Sequence, residues 1–124
     1  MAKEIYRCPI CGNIVEVLHV GGGTLVCCGK PMELLVEKSS EEGMEKHLPV
    51  VTVDGSNVNV KVGNIPHPMV EEHFIQWIEC LVDGISYMQE LKPNTPAEAN
   101  FTIIGEPSKL TVRAYCNAHG LWKK

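Results

Sequence analysis

Residues Val51–Val62, which read VTVDGSNVNVKV, predict the fold of the larger part of this chain. Valine alternates with polar residues on both sides of Asp54-Gly55, and both residues of that pair tolerate the positive φ of a tight hairpin turn. Four further strands are predicted downstream, each followed by a turn signal: His73 to Val82, Ile85 to Leu91, Asn100 to Ile104 and Lys109 to Cys116. Short strands at this spacing, with no convincing amphipathic helix, predict a mainly β domain, a β-sandwich of immunoglobulin-like type.

The N-terminal residues 1–36 are predicted to form a separate small unit. Residues 14–18 and 24–27 are typical of two short strands, joined by the turn Gly21-Gly22-Gly23. A unit of this size buries too little apolar surface to fold alone, so its cysteines are expected to hold it together. Residues 37–44 are polar, carry no apolar period and predict a linker to a domain that covers residues 45–124.

Composition excludes several classes of function. The chain has 124 residues, 44% of them hydrophobic and 21% charged, as in an ordinary soluble globular protein. Its formal charge of −4 provides no overall basic field for nucleic acid, and no apolar run is long enough to span a membrane. The N-terminal residues lack a secretory signal, so we expect a cytoplasmic protein.

Six cysteines in a reducing cytoplasm are expected to bind metal rather than to form disulfides. The stretch Cys8-Pro9-Ile10-Cys11-Gly12 is a metal knuckle, because two intervening residues let both sulfurs face one ion and the glycine permits the tight turn. The adjacent pair Cys27-Cys28 completes a set of four, and a bond between those neighbours would be strained. Four thiolates predict a tetrahedral site for zinc or iron, and the spacing leaves both metals open.

A second candidate set combines imidazoles with one thiol. Its members are His47, His67, His73, Cys116 and His119. Such a nitrogen and sulfur set suits iron, copper or zinc, and five ligands around an iron leave one position open. Pro68 disfavours helix at His67, so His67 and His73 can converge from a loop. Cys116 shares its strand parity with Val112 and Ala114 and should face the interior, where it could be a ligand or simply part of the core.

These motifs resemble those of a known family. The spacing of Cys8, Cys11 and Cys27-Cys28 resembles that of desulforedoxin, a small rubredoxin-like iron protein. The stretches around Glu45-Lys46-His47, His67 to His73 and Cys116 to His119 resemble the superoxide reductase family, called desulfoferrodoxin when the cysteine domain is present.

The resemblance implies two irons per chain, one bound by the four N-terminal cysteines and one by four equatorial histidines with Cys116 axial. It implies one-electron reduction of superoxide to hydrogen peroxide without release of oxygen. Lys46 is then expected to attract the anion or assist protonation, and Glu45 to occupy the sixth position once iron is ferric. The expected partners are rubredoxin or a similar electron donor and a second copy in a homodimer.

Other interpretations remain at this point. A dismutase would release oxygen, an electron carrier would use both irons without an open position, and a zinc-stabilised binding module would hold no iron. Trp77, Trp122 and Met69 are expected to surround the second metal, whereas His19 and Cys80 are expected to lie outside both sites.

Overall fold

The computed structural model describes residues 3–39 and 44–124, with only the backbone described for Met44 and Glu45. The chain divides into two compact units, Met1–Val36 and Glu37–Lys124. Both units are built from antiparallel strands, which confirms the prediction of a mainly β chain with a small cysteine-rich unit and a β-sandwich.

Between residues 3 and 36, the first unit contains five short strands in two small sheets. They are β1 (Ile5–Arg7), β2 (Ile14–Glu16), β3 (Val26–Cys27), β4 (Lys30–Pro31) and β5 (Glu33–Leu34). Strand β1 lies between β2 and β5, and β3 pairs with β4. The predicted strands β2 and β3 therefore do not pair with each other across the glycine turn. The reason is that the knuckle itself closes a hairpin between β1 and β2, with the Cys8 N–H donating to the Asn13 carbonyl at 2.8 Å.

In its described residues, 37–39 and 44–124, the second unit contains one short α-helix and seven strands. They are α1 (Met44–His47), β6 (Pro49–Asp54), β7 (Asn57–Val62), β8 (Ile75–Val82), β9 (Ile85–Glu90), β10 (Glu98–Thr102), β11 (Thr111–Cys116) and β12 (Gly120–Lys123). One sheet has the order β10-β7-β6 and the other β12-β11-β8-β9. Within residues 3–39 and 44–124, no helix has the length and apolar character needed to cross a membrane.

The predicted hairpin at Asp54-Gly55 is confirmed. Asp54 pairs with Asn57 and Val53 with Val58, and Gly55 has a φ of +62°. Strand β12 was not predicted, because it has only four residues and the sequence there was interpreted as a ligand motif. It pairs with β11 across that turn, with Cys116 opposite Gly120.

The core of the sandwich lies between its two sheets. Buried valines of β7 meet apolar residues of β8 and β11 there, among them Ile78, Cys80, Val112, Ala114 and Cys116. The prediction that Cys116 faces the interior is confirmed, since its exposed fraction is 0%. Arg113 and Tyr115, which point the other way from β11, are buried as well.

The described residues of the predicted linker, 37–39 and 44, belong to the second unit. The Lys38 N–H donates to the Leu121 carbonyl, and the Lys123 N–H donates to the Lys38 carbonyl, each at 2.9 Å. The Glu37 carboxylate lies 3.2 Å from Nη1 of Arg113. Main-chain pairing of this kind leaves no trace in the pattern of side chains, and the linker was predicted from polar side chains alone. Residues 40–43 of the predicted linker lie outside the described residues.

A buried ion pair joins β8 to β11. Nε of Arg113 donates to Oε1 of Glu79 at 2.9 Å, and Oγ of Ser86 donates to Oε2 of Glu79 at 2.6 Å. The exposed fractions are 2% for Arg113 and 0% for Glu79. Both oxygens of the carboxylate accept hydrogen bonds, which offsets much of the cost of removing the charges from water.

We predict that Glu79→Ala lowers the free energy of unfolding by about 3 to 5 kcal/mol, because it leaves the Arg113 guanidinium buried without its main counter-charge. Glu79→Gln keeps the shape and a hydrogen-bond acceptor, so its loss should be smaller. Urea unfolding of the metal-loaded protein measures both. A loss below about 1 kcal/mol for Glu79→Ala would show that the pair contributes little.

Candidate metal centres

The four N-terminal cysteines converge at one point of the first unit. Cys8 follows β1, Cys11 lies in the knuckle, Cys27 ends β3 and Cys28 follows it with a φ of +54°. The four sulfur atoms all lie within 4.8 Å of one another, and the Sγ atoms of Cys11 and Cys27 are 3.6 Å apart. All four are free thiols, so the structure brings together every cysteine of the predicted site.

The knuckle prepares its sulfurs for metal binding. The backbone N–H groups of Ile10 and Cys11 each donate to Sγ of Cys8 at 3.4 Å, in a turn that Gly12 closes with a φ of +81°. These donors, the Cys11 N–H foremost, lower the pKa of Cys8 to about 6. Hydrogen bonds among the crowded thiols, first with Cys11, raise the pKa of Cys28 to about 12. A tetrahedral zinc or iron ion would replace the protons that these thiols share.

The second site lies at one end of the sandwich and draws on three segments: the end of α1, the loop from β7 to β8 and the turn from β11 to β12. His47 ends α1, His67 lies in the loop after β7, His73 precedes β8, Cys116 ends β11 and His119 precedes β12. Loops at a strand end can place side chains from distant parts of the sequence beside each other, because the sheets fix where each loop begins and ends.

The four imidazole rings form a square. Neighbouring ring centroids are 4.7 Å apart for His47 and His67, 4.7 Å for His67 and His73, 4.9 Å for His73 and His119, and 4.8 Å for His47 and His119. The diagonal from His47 to His73 is 6.3 Å, close to that of a square with such sides.

The sulfur of Cys116 completes this set. Ligand atoms of His47, His67, His73 and Cys116 all lie within 4.8 Å of one another. His119 closes the square on its exposed side, with Nδ1 lying 3.2 Å from Nε2 of His73 and 3.8 Å from Sγ of Cys116. Four imidazoles in a square with one sulfur form a donor set that suits iron, and five ligands would leave one position of a six-coordinate metal open.

One buried nitrogen tests whether a metal fits here. Nδ1 of His67 lies 2.7 Å from the Pro68 carbonyl oxygen, which fixes the proton on that nitrogen. Nε2 of His67 is buried and meets no hydrogen-bond partner in the part of the chain that the structure describes. Burial lowers the pKa of His67 to about 4, so the ring is neutral and this nitrogen carries a lone pair. A bound metal ion would satisfy that lone pair, which is otherwise costly to bury.

The turn after Cys116 surrounds its sulfur with donors. Burial raises the pKa of Cys116, whereas hydrogen bonds from the backbone N–H groups of Ala118 and His119 and the charge of Lys38 lower it. The N–H of Asn117 does not share this role, because it donates to the Phe74 carbonyl at 3.2 Å. Its Oδ1 accepts the Phe74 N–H at 3.0 Å, so Asn117 fastens the turn to the residue that follows His73.

The two tryptophans have different roles. Trp122 stacks on His47, with 4.8 Å between centroids and 15° between the rings, and its Nε1 donates to the His119 carbonyl at 3.2 Å. Trp77 was expected beside the metal but stacks instead on Tyr115 at 5.7 Å. The two are register partners on β8 and β11, and their side chains point away from the face that carries Cys116.

The structure shows where three further residues named in the sequence analysis lie. Lys46 is exposed, and its positive charge helps to lower the pKa of His73, after burial and the charge of His119. Cys80 lies in the core, where burial raises its pKa to about 12, and His19 is exposed in the first unit. The side chain of Glu45 lies outside the described residues.

Sequence reasoning missed Lys38. Its Nζ donates to the His119 carbonyl at 3.0 Å and lies 5.7 Å from the centre of the Trp122 ring. No motif could have indicated this contact, because Lys38 stands in a polar segment far from His119 in the sequence.

Comparison with known proteins agrees with both sites. The family model of desulfoferrodoxin matches residues 39–124, and that of the desulfoferrodoxin N-terminal domain matches residues 1–35. The desulfoferrodoxin of Syntrophotalea carbinolica is 55% identical over 119 residues, which cover 96% of this chain and 93% of the relative. That of Nitratidesulfovibrio vulgaris is 52% identical over 120 residues, covering 97% and 94%.

A solved structure matches the whole chain. The crystal structure of the superoxide reductase from Treponema pallidum superposes with a TM-score of 0.81 at 26% identity. The match covers 99% of this chain and 97% of that chain. With two matching family models and relatives of more than 50% identity over nearly its full length, this chain belongs to the desulfoferrodoxin family.

Proposed function

We propose that this chain is a superoxide reductase, an oxidoreductase that converts superoxide to hydrogen peroxide without releasing oxygen. The observation that carries the proposal is the square of four imidazoles with the Cys116 sulfur beside all of them. The residues proposed to hold the catalytic iron are His47, His67, His73, His119 and Cys116. The same activity is named for the Treponema pallidum protein that shares this fold.

Bound ferrous iron supplies one electron and an open coordination position for the superoxide anion. The residues of the chain have to orient the ligands, attract the anion and bring two protons to it. The backbone N–H groups of Ala118 and His119 donate to Sγ of Cys116 and partly offset the rise in its pKa that burial causes. As a metal-bound thiolate this sulfur would carry a negative charge, which would favour the oxidised state of the metal. Trp122 covers one face of His47 and limits the access of water there.

Lys46 is proposed to attract the substrate and to hold a proton donor near it. The chain has a formal charge of −4, so an anion is repelled by the protein as a whole. An exposed ammonium close to His73 creates a local positive field that offsets this repulsion. Glu45 is proposed, from the family resemblance, to occupy the open position after oxidation.

The N-terminal cysteines are proposed to hold a second iron as an auxiliary one-electron centre. The mutual distances of their sulfur atoms suit one tetrahedral ion. A rubredoxin or a similar small redox protein is proposed as the electron donor. A reducing compartment, the cytoplasm, is proposed as the location, because the four thiolates and Cys116 have to stay reduced.

The test of the activity is the product yield when a known flux of superoxide meets the prereduced, iron-loaded protein without oxygen. We expect one hydrogen peroxide for each superoxide consumed, with iron oxidised and no oxygen evolved. Half as much peroxide with oxygen released would identify a dismutase. If superoxide were consumed no faster than it decays spontaneously, the protein would not be a reductase, and the remaining interpretations would be an electron carrier or a zinc-stabilised module.

We predict that Lys46→Ala slows the second-order reaction with superoxide by about tenfold at low ionic strength and flattens its salt dependence. Stopped-flow kinetics at several salt concentrations measure both effects. Lys109→Ala is the matched control, because Lys109 is also exposed but lies before the start of β11, at the opposite end from Cys116. An unchanged rate for Lys46→Ala would refute the attraction of superoxide by this residue.

A homodimer is also proposed, formed through the first unit. Several large apolar side chains are exposed there, with exposed fractions of 78% for Leu18, 73% for Val36 and 61% for Val26. So much apolar surface on a small unit is typical of an interface between copies.

Sedimentation equilibrium should therefore give the mass of two 13.7 kDa chains. The double variant Leu18→Glu with Val26→Glu should have the mass of a single chain. Ile104→Glu is the control, because Ile104 is equally exposed, at 76%, but belongs to the second unit. The mass of a single chain at micromolar concentration for the unaltered protein would contradict the proposal.

A further inference from the structure

Lys38 combines main-chain pairing with a side chain directed at the histidine site. Its backbone forms a parallel bridge with Trp122, through hydrogen bonds to Leu121 and Lys123. Its side chain passes Gly120, where an added Cβ would lie 3.7 Å from both Cε and Nζ of Lys38. The ammonium ends at the His119 carbonyl oxygen, 3.0 Å away.

The groups that Lys38 touches are joined to the metal-binding residues. The His119 carbonyl accepts two hydrogen bonds, from Nζ of Lys38 and from Nε1 of Trp122. Lys38 therefore contacts the main chain of His119 and the indole of Trp122. The indole in turn stacks on the imidazole of His47.

The charge of Lys38 also acts on the sulfur. Nζ lies 3.0 Å from the His119 carbonyl, and Nδ1 of the same histidine lies 3.8 Å from Sγ of Cys116. A unit charge about 10 Å from a redox centre, in surroundings between protein and water, changes an equilibrium between two charge states on the order of tenfold. The sign follows from electrostatics, because a positive charge disfavours the oxidised metal, which carries one more positive charge than the reduced metal.

We propose that Lys38 is a positioning residue of the histidine site, which orients the turn from Cys116 to His119 and holds the bound iron toward its reduced state by its positive charge. This inference rests on the iron site proposed above. It assigns different roles to the two lysines near the site: Lys46 acts on the approach of superoxide, and Lys38 acts on the redox equilibrium of the metal.

Three variants separate the contributions of Lys38. Lys38→Gln removes the charge and retains a donor for the His119 carbonyl, whereas Lys38→Met removes the charge and the hydrogen bond but keeps the apolar stem. Lys38→Arg keeps both the charge and the donor. Lys109→Gln is the control for the loss of one exposed positive charge at the other end of β11.

The measurement is a redox titration of the full-length, iron-loaded protein, followed by the part of the visible absorption that Cys116→Ser removes, because iron bound by the four N-terminal cysteines absorbs as well. We expect Lys38→Gln to increase the ratio of oxidised to reduced iron at a fixed applied potential by about tenfold. Lys38→Met should show at least this change, and Lys38→Arg should restore the ratio of the unaltered protein. Lys109→Gln should change the ratio far less than Lys38→Gln.

The inference is overturned if Lys38→Gln and Lys38→Met leave the ratio unchanged, or if Lys109→Gln changes it as much. It is also overturned if Lys38→Arg behaves like Lys38→Met, because the effect would then belong to the side-chain shape rather than to the charge. If Cys116→Ser removed none of the visible absorption of the unaltered protein, the proposed iron site itself would instead be refuted.

Discussion

The turn from Cys116 to His119 is the element on which the histidine site depends most. It supplies the sulfur and one imidazole, and its Ala118 and His119 N–H groups donate to that sulfur. Its His119 carbonyl anchors Trp122 and Lys38, and Asn117 fastens it to Phe74 beside His73. The antiparallel pairing of β11 with β12 fixes both ends of the turn, so the geometry of the ligands follows from the register of a sheet.

The two sites differ in the contacts that their ligand atoms make. In the first unit the knuckle directs backbone N–H groups at sulfur, and the sulfur atoms crowd within reach of each other. In the second unit a buried imidazole such as His67 has one nitrogen bound to a carbonyl and the other directed into the square. A bound metal would satisfy the ligand atoms in both cases, which links metal loading to the stability of each unit.

Much of the fold was accessible from the sequence because it depended on local patterns. The alternation of valines around Asp54-Gly55 predicted the β6 and β7 hairpin, and the spacing of Cys8 and Cys11 predicted the knuckle. Local spacing did not predict the convergence of the four histidines from three segments, which was a hypothesis from their residue types and from the family resemblance. The structure gives it a geometric basis, since the rings lie at the corners of one square.

The features that the sequence did not predict depend on tertiary pairing. Strand β12 exists because β11 offers it a partner, and Lys38 reaches the site because its backbone pairs with Trp122. The direction of Trp77 follows from its register with Tyr115 rather than from its place in the sequence near the histidines. None of these pairing partners can be recognised from the sequence pattern of a single segment.

Mössbauer spectroscopy of the full-length protein loaded with iron-57 tests most directly whether the histidine square binds its own iron. Two signals of equal area are expected, one from iron in tetrahedral sulfur and one from iron bound by nitrogen and a single sulfur. His67→Ala should remove or alter only the second signal, because the first depends on residues of the other unit. A single tetrahedral signal from the unaltered protein, or two signals that His67→Ala leaves unchanged, would contradict iron binding by the histidines and Cys116.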